Sequence, residues 1–388
     1  MPLSLYVHIP FCEVKCGYCD FFSVPRGYED FDLQKEYVQE LLREIDTRAT
    51  DFKGRPVRSL FFGGGTPSLL APDLLEKIFK KLNQYFSWGP EVEVTLESNP
   101  KTVSYEKLRT FRSLGVNRIS LGVQSFQDRF LQVMGRIHSG SEALRTIEDI
   151  VHAGFENYSF DLIYALPGQS FEDWQKDLEQ ALSLGPPHLS AYHLTIEEGT
   201  SFHTLYEKGK LKLPEEEEGV RLLTWTRERL QQYQVRLEPY EISNFSKPGF
   251  ESVHNRNYWQ YGEYLGLGAG AASFVKHRGS ALYPTVHGER RTNIRDLKKY
   301  LSGTWEGFCE TIDLKMAMGE FCMLALRMRE GISEKAFEKE FHRPLQEIFS
   351  VPIDRMIQRG WLNKTGGGWC LTPQGLLFAN EVAIAFLP

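Results

Sequence analysis

The sequence predicts an α/β fold: a partial (β/α)6 barrel followed by a helical, winged-helix-like unit at the C-terminus. Three observations carry this. Residues 3–194 alternate six times between short apolar stretches of strand character and amphipathic stretches of helical period. The glycines and polar residues suited to chemistry fall at the ends of the strand-like stretches. After about residue 310 the strand signal gives way to three helical stretches and a glycine-centred hairpin. Successive strand–helix units argue for a parallel sheet with helices outside, and right-handed crossovers roll such a sheet into a full or partial barrel. The expected division is 1–235 for the barrel, 236–310 for a connecting region and 311–388 for the C-terminal unit.

The elements follow in order. Strands are expected at 3–9, 57–62, 91–97, 118–123, 158–165 and 188–194. Helices are expected at 32–47, at 71–86 with Pro72 in its first turn, at 104–113, in segments up to 153, and at 171–184. Beyond 200 the pattern is less regular. The acidic run from Glu215 to Glu218 suits the solvated start of a helix over 217–232. The glycine-rich stretch 262–271 suits either a loop against a ligand or close backbone packing. At the C-terminus, helices are expected at 315–328, 333–341 and 345–359, then a hairpin turning at Gly366-Gly367-Gly368.

Composition narrows the function classes. A chain of 388 residues holds a sizeable core and about two domains. A net charge of -6 offers nucleic acid no basic field. A winged-helix shape often binds DNA, but from 332 onward six Lys/Arg balance six Asp/Glu, so no basic face is expected there. The first residues lack the charged and apolar regions of a signal peptide, and no apolar run is long enough to span a membrane. A cytoplasmic protein is expected, because reactive thiols need a reducing compartment.

Cys12, Cys16 and Cys19 are the most informative residues. Their gaps put three thiolates on one tight loop, and an odd trio cannot pair fully as disulfides. Two metal readings stay open on spacing alone. A single zinc ion needs a fourth ligand, for which His8 is the nearby candidate. A four-iron cluster held by three thiolates instead leaves one iron open to a small molecule. Cys309, Cys322 and Cys370 stand singly and suit ordinary buried thiols.

The other candidate residues fall at strand ends, which share one face when strands are parallel. Gly63-Gly64-Gly65-Thr66-Pro67 lets backbone groups approach a ligand, or simply makes a tight turn. Glu97 ends the third strand. Gln124 offers both a donor and an acceptor. Arg136 suits a bidentate hold on a carboxylate, and Asp161 suits ribose hydroxyls. Tyr6 precedes the cysteines on the first strand.

The cysteine spacing resembles the signature of the radical S-adenosylmethionine (radical SAM) superfamily. That resemblance implies a four-iron, four-sulfur (4Fe-4S) cluster on Cys12, Cys16 and Cys19. It also implies S-adenosyl-L-methionine at Tyr6, Gly64, Gly65, Thr66, Glu97, Gln124, Arg136 and Asp161. Tyr6-Val7-His8-Ile9-Pro10-Phe11-Cys12, the glycine loop, Gly122-Val123-Gln124-Ser125-Phe126 and the Asp161 segment narrow it further. They resemble the oxygen-independent coproporphyrinogen III oxidase family. In the oxidases the motif continues to a cysteine two positions after the third; here Phe21 stands there. His254-Asn255-Arg256-Asn257-Tyr258-Trp259 instead resembles the haem-associated motif of the HemW haem chaperones.

That branch implies haem binding at His254, Arg256, Tyr258 and Trp259, and delivery to haem-accepting proteins, membrane-associated acceptors among them. The residues suit it: imidazole ligates haem iron, the aromatic rings flank a flat macrocycle, and the arginine pairs with a propionate. Taken alone they suit an ordinary core better. A homodimer is a further expectation. The rival readings are an oxidase that decarboxylates porphyrinogen propionates, and a zinc-stabilised interaction protein.

Overall fold

The computed structural model describes residues 2–25, 29–233, 236–277 and 286–388. Six strands form where the pattern placed them: β1 (Leu3–Ile9), β2 (Val57–Gly64), β3 (Glu93–Ser98), β4 (Arg118–Gln124), β5 (Asn157–Tyr164) and β6 (His188–His193). Each pairs in parallel with the next in chain order. The sheet is covered on both faces, so β1 buries Leu3, Leu5, Val7 and Ile9 and also Ser4 and His8 between them.

Helices α1 (Phe31–Arg48), α2 (Pro72–Leu82), α3 (Tyr105–Ser113), α4 (Asp128–Met134), α5 (Gly140–His152) and α6 (Phe171–Ser183) connect the strands. Their boundaries follow local chemistry. Asp30 accepts from the Leu33 amide to start α1. Ser139 with Glu142, and Ser170 with Asp173, form capping boxes that start α5 and α6. In α2, Leu74, Leu75, Ile78, Phe79 and Leu82 recur at helical spacing and bury one face.

After β6 come α7 (Ser201–Glu207) and α8 (Glu216–Gln232), the latter beginning at the acidic run as expected. The expected boundary at residue 235 lies outside the described residues. Next are β7 (Glu238–Pro239), β8 (Asn244–Ser246), α9 (Val253–Trp259), β9 (Tyr264–Leu267), β10 (Ala272–Lys276), β11 (Val286–Asn293), α10 (Leu297–Leu301) and β12 (Glu306–Asp313).

The sheet is therefore larger than expected. It runs β12-β11-β10-β9-β1-β2-β3-β4-β5-β6-β8-β7. Strand β9 adds a seventh parallel strand beside β1, and β10 to β12 extend that edge antiparallel. The glycine-rich stretch thus serves close backbone packing. A Cβ on Gly266 would lie 1.9 Å from the Ala272 carbonyl oxygen, and one on Gly268 would lie 2.6 Å from that of His8.

The C-terminal part packs α11 (Leu314–Ala325), α12 (Glu334–Phe341) and α13 (Leu345–Gln358) against a small antiparallel sheet. That sheet contains β13 (Ile332–Ser333), β14 (Leu362–Thr365) and β15 (Gly368–Leu371), with β15 in the centre. Helices α14 (Pro373–Leu377) and α15 (Ala379–Ile384) close it. Its core of Phe321, Phe337, Phe341, Phe349 and Trp369 also takes in Tyr261 and Phe274, so it is continuous with the elements around β9. One thiol departs from expectation. Cys309 is exposed on β12 and donates to the Glu289 carboxylate at 2.9 Å, because β12 is the outermost strand and turns that side chain outward.

Candidate cofactor site

Parallel strands deliver their C-terminal ends to one rim, and the candidate residues meet there. A cavity of about 590 Å³ is lined by Cys12, Cys16, Cys19, Gly64, Gly65, Thr66, Glu97, Gln124, Arg136 and Asp161. Tyr6 is not in its lining. It lies deeper, stacked on Phe61, with its hydroxyl 3.1 Å from Nδ1 of His8.

The glycine loop is fastened to the cysteine loop. The Gly65 amide donates to the Ile9 carbonyl at 2.9 Å and the Thr66 amide to the Phe11 carbonyl at 2.7 Å. A Cβ on Gly65 would lie 2.6 Å from the Phe11 carbonyl oxygen, so only glycine fits between the two loops. Gly64 has a φ of +118°, and its amide donates to Oε2 of Glu97 at 3.1 Å. Thr66 Oγ1 lies 3.5 Å from Cys12 Sγ and accepts from Asn99 Nδ2 at 2.8 Å. Gln124 sits at a φ of +68° where the pairing of β4 with β5 shifts register, which turns the chain at the rim.

Arg136 is the cation of the site. Its guanidinium donates to Asn99 Oδ1 at 2.5 Å and the Gly122 carbonyl at 2.8 Å, and reaches Cys16 Sγ at 3.6 Å. Burial works against its charge, yet Tyr18 and the Cys16 thiol beside it hold its pKa above the usual arginine value. Ser120 donates to Asp161 at 3.0 Å. Burial raises the Asp161 pKa despite that bond. Burial, with the Asp161 charge adding, pushes Glu97 up to about 8. The wall therefore holds a proton on Glu97 near neutral pH. Burial also raises Cys12, and Cys19 to about 11. Bound metal reverses that effect, since a coordinating thiol is deprotonated.

The donor set fits an iron–sulfur cluster with an open iron better than a zinc ion. His8, the fourth zinc ligand considered above, is turned away: its Nε2 is 2.9 Å from the Phe22 carbonyl and its Nδ1 is on Tyr6.

The motif from His254 to Trp259 lies on α9. The Glu93 carboxylate caps the helix, accepting from the Val253 and His254 amides at 3.0 Å. His254 is 1% exposed. Its Nδ1 is 2.8 Å from Ser59 Oγ, its Nε2 is 2.9 Å from the Tyr258 hydroxyl, and its ring stacks on Phe61 at 4.8 Å. Burial lowers its pKa to about 3, so the ring is neutral. Both ring nitrogens are thus hydrogen-bonded in this arrangement. Arg256 pairs with Glu330 at 3.3 Å, and Trp259 lies under the Arg327 guanidinium at 4.5 Å.

Sequence reasoning missed Asn99, Ser120, Tyr192 and His193, all of which line the cavity. The signal existed for some of them. Asn99 follows Glu97 within the same strand end, and Tyr192-His193 ends the sixth strand, where the barrel rule places chemistry.

Comparison with known proteins bears on the family and the fold. Residues 6–181 match the radical SAM superfamily, and residues 312–378 match the HemN C-terminal domain. The heme chaperone HemW of Haemophilus influenzae is 36% identical over 400 residues, covering 100% of this chain and 98% of that protein. The heme chaperone HemW of Bacillus subtilis is 34% identical over 394 residues, covering 99% of each. The solved structure of coproporphyrinogen III oxidase (HemN) from Escherichia coli superposes with a TM-score of 0.82 at 23% identity, covering 99% of this chain and 90% of that one. The oxidase likeness shows the fold. The full-length identities show the family: this chain belongs to the HemW family of the radical SAM superfamily.

Proposed function

We propose that this protein is a haem chaperone that binds haem and passes it to acceptor proteins. The observation that carries the proposal is the match, end to end in both chains, to relatives named heme chaperone HemW. Phe21, at the position of the oxidases' additional cysteine, supports the same reading and is 62% exposed at the mouth of the thiol cavity.

Cys12, Cys16 and Cys19 hold a 4Fe-4S cluster, which supplies one-electron chemistry and an open iron when bound. The S-adenosyl-L-methionine beside it has distinct partners. The Gly64-Gly65-Thr66 loop and Glu97 receive its amino-acid end, with Gln124 alongside. Arg136 balances its carboxylate, and Asp161, oriented by Ser120, takes ribose hydroxyls. Tyr6 supports this wall from below. The haem-accepting partner is a protein, and membrane-associated acceptors are included. No helix among the described residues is long and apolar enough to cross a membrane. The thiol cluster needs a reducing compartment, which supports a cytoplasmic location. A homodimer is part of the proposal.

The second reading is coproporphyrinogen III oxidation, favoured by the fold shared with that oxidase. One experiment separates them. The cluster is reconstituted anaerobically, then coproporphyrinogen III, S-adenosylmethionine and a reductant are added, with a parallel haem titration and transfer to a haem-free acceptor. Haem binding and transfer without protoporphyrinogen formation is the expected result; turnover of the porphyrinogen would replace the chaperone reading with the oxidase.

A further inference from the structure

The interior of a parallel barrel is ordinarily filled by bulky apolar side chains. Here it holds polar ones. Residues two apart on a strand share a face, so the face of β3 that carries Glu97 also carries Glu93, and the face of β5 that carries Asp161 also carries Ser159. On β6, His188 stands opposite Ser159. Glu93, Ser159 and His188 are all buried, and a buried polar group costs free energy unless it is hydrogen-bonded.

Their bonds run in a line from α9 to the cofactor wall. The Ser252 amide, at the N-cap of α9, is 3.4 Å from the Tyr240 hydroxyl. That hydroxyl is 2.9 Å from Nε2 of His188, and Nδ1 of the same ring is 2.7 Å from Ser159 Oγ. Ser159 Oγ is in turn 3.4 Å from Oδ1 of Asp161. The ends of the line set its direction, because an amide only donates and a carboxylate only accepts. Burial lowers the His188 pKa, so the ring is neutral and one nitrogen donates while the other accepts. Among the described residues, His188 is the one acceptor that meets the Tyr240 hydroxyl. Tyr240 therefore donates to Nε2, Nδ1 donates to Ser159, and Ser159 donates to Asp161.

Asp161 is thereby held at both oxygens, Oδ2 by Ser120 at 3.0 Å and Oδ1 by Ser159. A carboxylate oxygen accepts more than one bond, so each keeps acceptor capacity for a ligand in the cavity. The far end is equally placed. Glu93 accepts from the Val253 and His254 amides at 3.0 Å and from Ser252 Oγ at 3.4 Å, so the first turn of α9 is fixed to β3 as well as to Tyr240. In a buried line of this kind each bond polarises the next, and a bond made at one end strengthens those behind it.

We propose that Ser159, His188 and Tyr240 form a positioning relay, which presents Asp161 to the ribose hydroxyls of S-adenosylmethionine and couples that grip to the first turn of α9. The proposal rests on the reading of this wall as the S-adenosylmethionine site and adds the residues that act behind it. Only hydrogen bonds change, so the relay needs no oxidant or reductant.

The test uses the full-length protein with its cluster reconstituted, titrated calorimetrically with S-adenosylmethionine, and follows hydrogen exchange at residues 252–259. In the wild type S-adenosylmethionine should bind and slow exchange there. Tyr240→Phe keeps the ring and removes one hydroxyl; it should weaken binding about fivefold and lose the slowing. Ser159→Ala breaks the line on the other side of His188 and should do the same. Tyr300→Phe is the structural control. It removes a buried tyrosine hydroxyl bonded to Glu44 at 2.7 Å, so it should lose comparable stability yet bind as the wild type does. Wild-type affinity in Tyr240→Phe and Ser159→Ala, an equal loss in Tyr300→Phe, or exchange in α9 that S-adenosylmethionine leaves unchanged in the wild type would overturn the relay. Failure of the wild type to bind S-adenosylmethionine, or undiminished binding by Asp161→Asn, would overturn the reading of the wall itself.

Discussion

Gly65→Ala is a sharp test of how the two loops of the thiol site are joined. The added Cβ would lie 2.6 Å from the Phe11 carbonyl oxygen and 2.7 Å from that of Pro10, where ordinary contact begins near 3.4 Å, so one backbone must retreat by about 0.8 Å. Neither side yields cheaply. The Gly65 amide is bonded to Ile9 and the Thr66 amide to Phe11, so the retreat stretches the bonds that hold the cysteine loop on the glycine loop. Overpacking of this kind costs about 1–3 kcal/mol. In a chain of this size each kcal/mol moves the melting temperature by about 2 °C or less, so a loss of a few degrees is expected. The same displacement moves Cys12 relative to Cys16 and Cys19, so iron and sulfide bound per chain after anaerobic reconstitution should fall. Gly367→Ala is the control, because its Cβ would meet nothing within 4 Å. A Gly65→Ala protein that melts with the wild type and takes up the same iron would refute the reasoning.

Other expectations follow from the same wall. Glu97 has a folded-state pKa raised to about 8, above the ordinary carboxyl value, so its contribution to stability is whole below about pH 4.5 and drains away as pH rises through about 8. Glu97→Gln should flatten that decline, by the order of a few kcal/mol, in denaturant titrations between pH 5 and pH 9; an unchanged pH slope would count against a buried, protonated Glu97. His254→Ala removes a buried ring and leaves Ser59 and the Tyr258 hydroxyl without their partner. A loss of about 2–4 kcal/mol in urea unfolding is expected, and a loss under about 0.5 kcal/mol, the range of ordinary surface substitutions, would show that the bracket carries no load. Replacing any one of Cys12, Cys16 or Cys19 with Ala should abolish the iron–sulfur absorbance while the far-ultraviolet circular dichroism stays that of the wild type. Retained absorbance in one of the three would remove that residue from the ligand set.

The six parallel strands, their helices and the trio of thiols were legible in the sequence because each rests on local patterning. Apolar runs bounded by caps and glycines mark strands and helices, and short cysteine spacing puts three thiols on one loop. The convergence of Gly64, Glu97, Gln124, Arg136 and Asp161 was also legible, since parallel strands bring their ends to one rim. Tertiary structure decided what depends on non-local partners. The stretch 262–271 could serve as a ligand loop or as close backbone packing, and only the docking of β9 beside β1 chose between them. The partner of the His254 ring is equally non-local: Ser59, 195 positions away, meets one ring nitrogen. His193 showed no motif at all, and its place in the lining of the thiol cavity emerges only from the fold. Periodicity encodes which face of an element is buried, whereas the partner that meets that face is set by the packing of the whole chain.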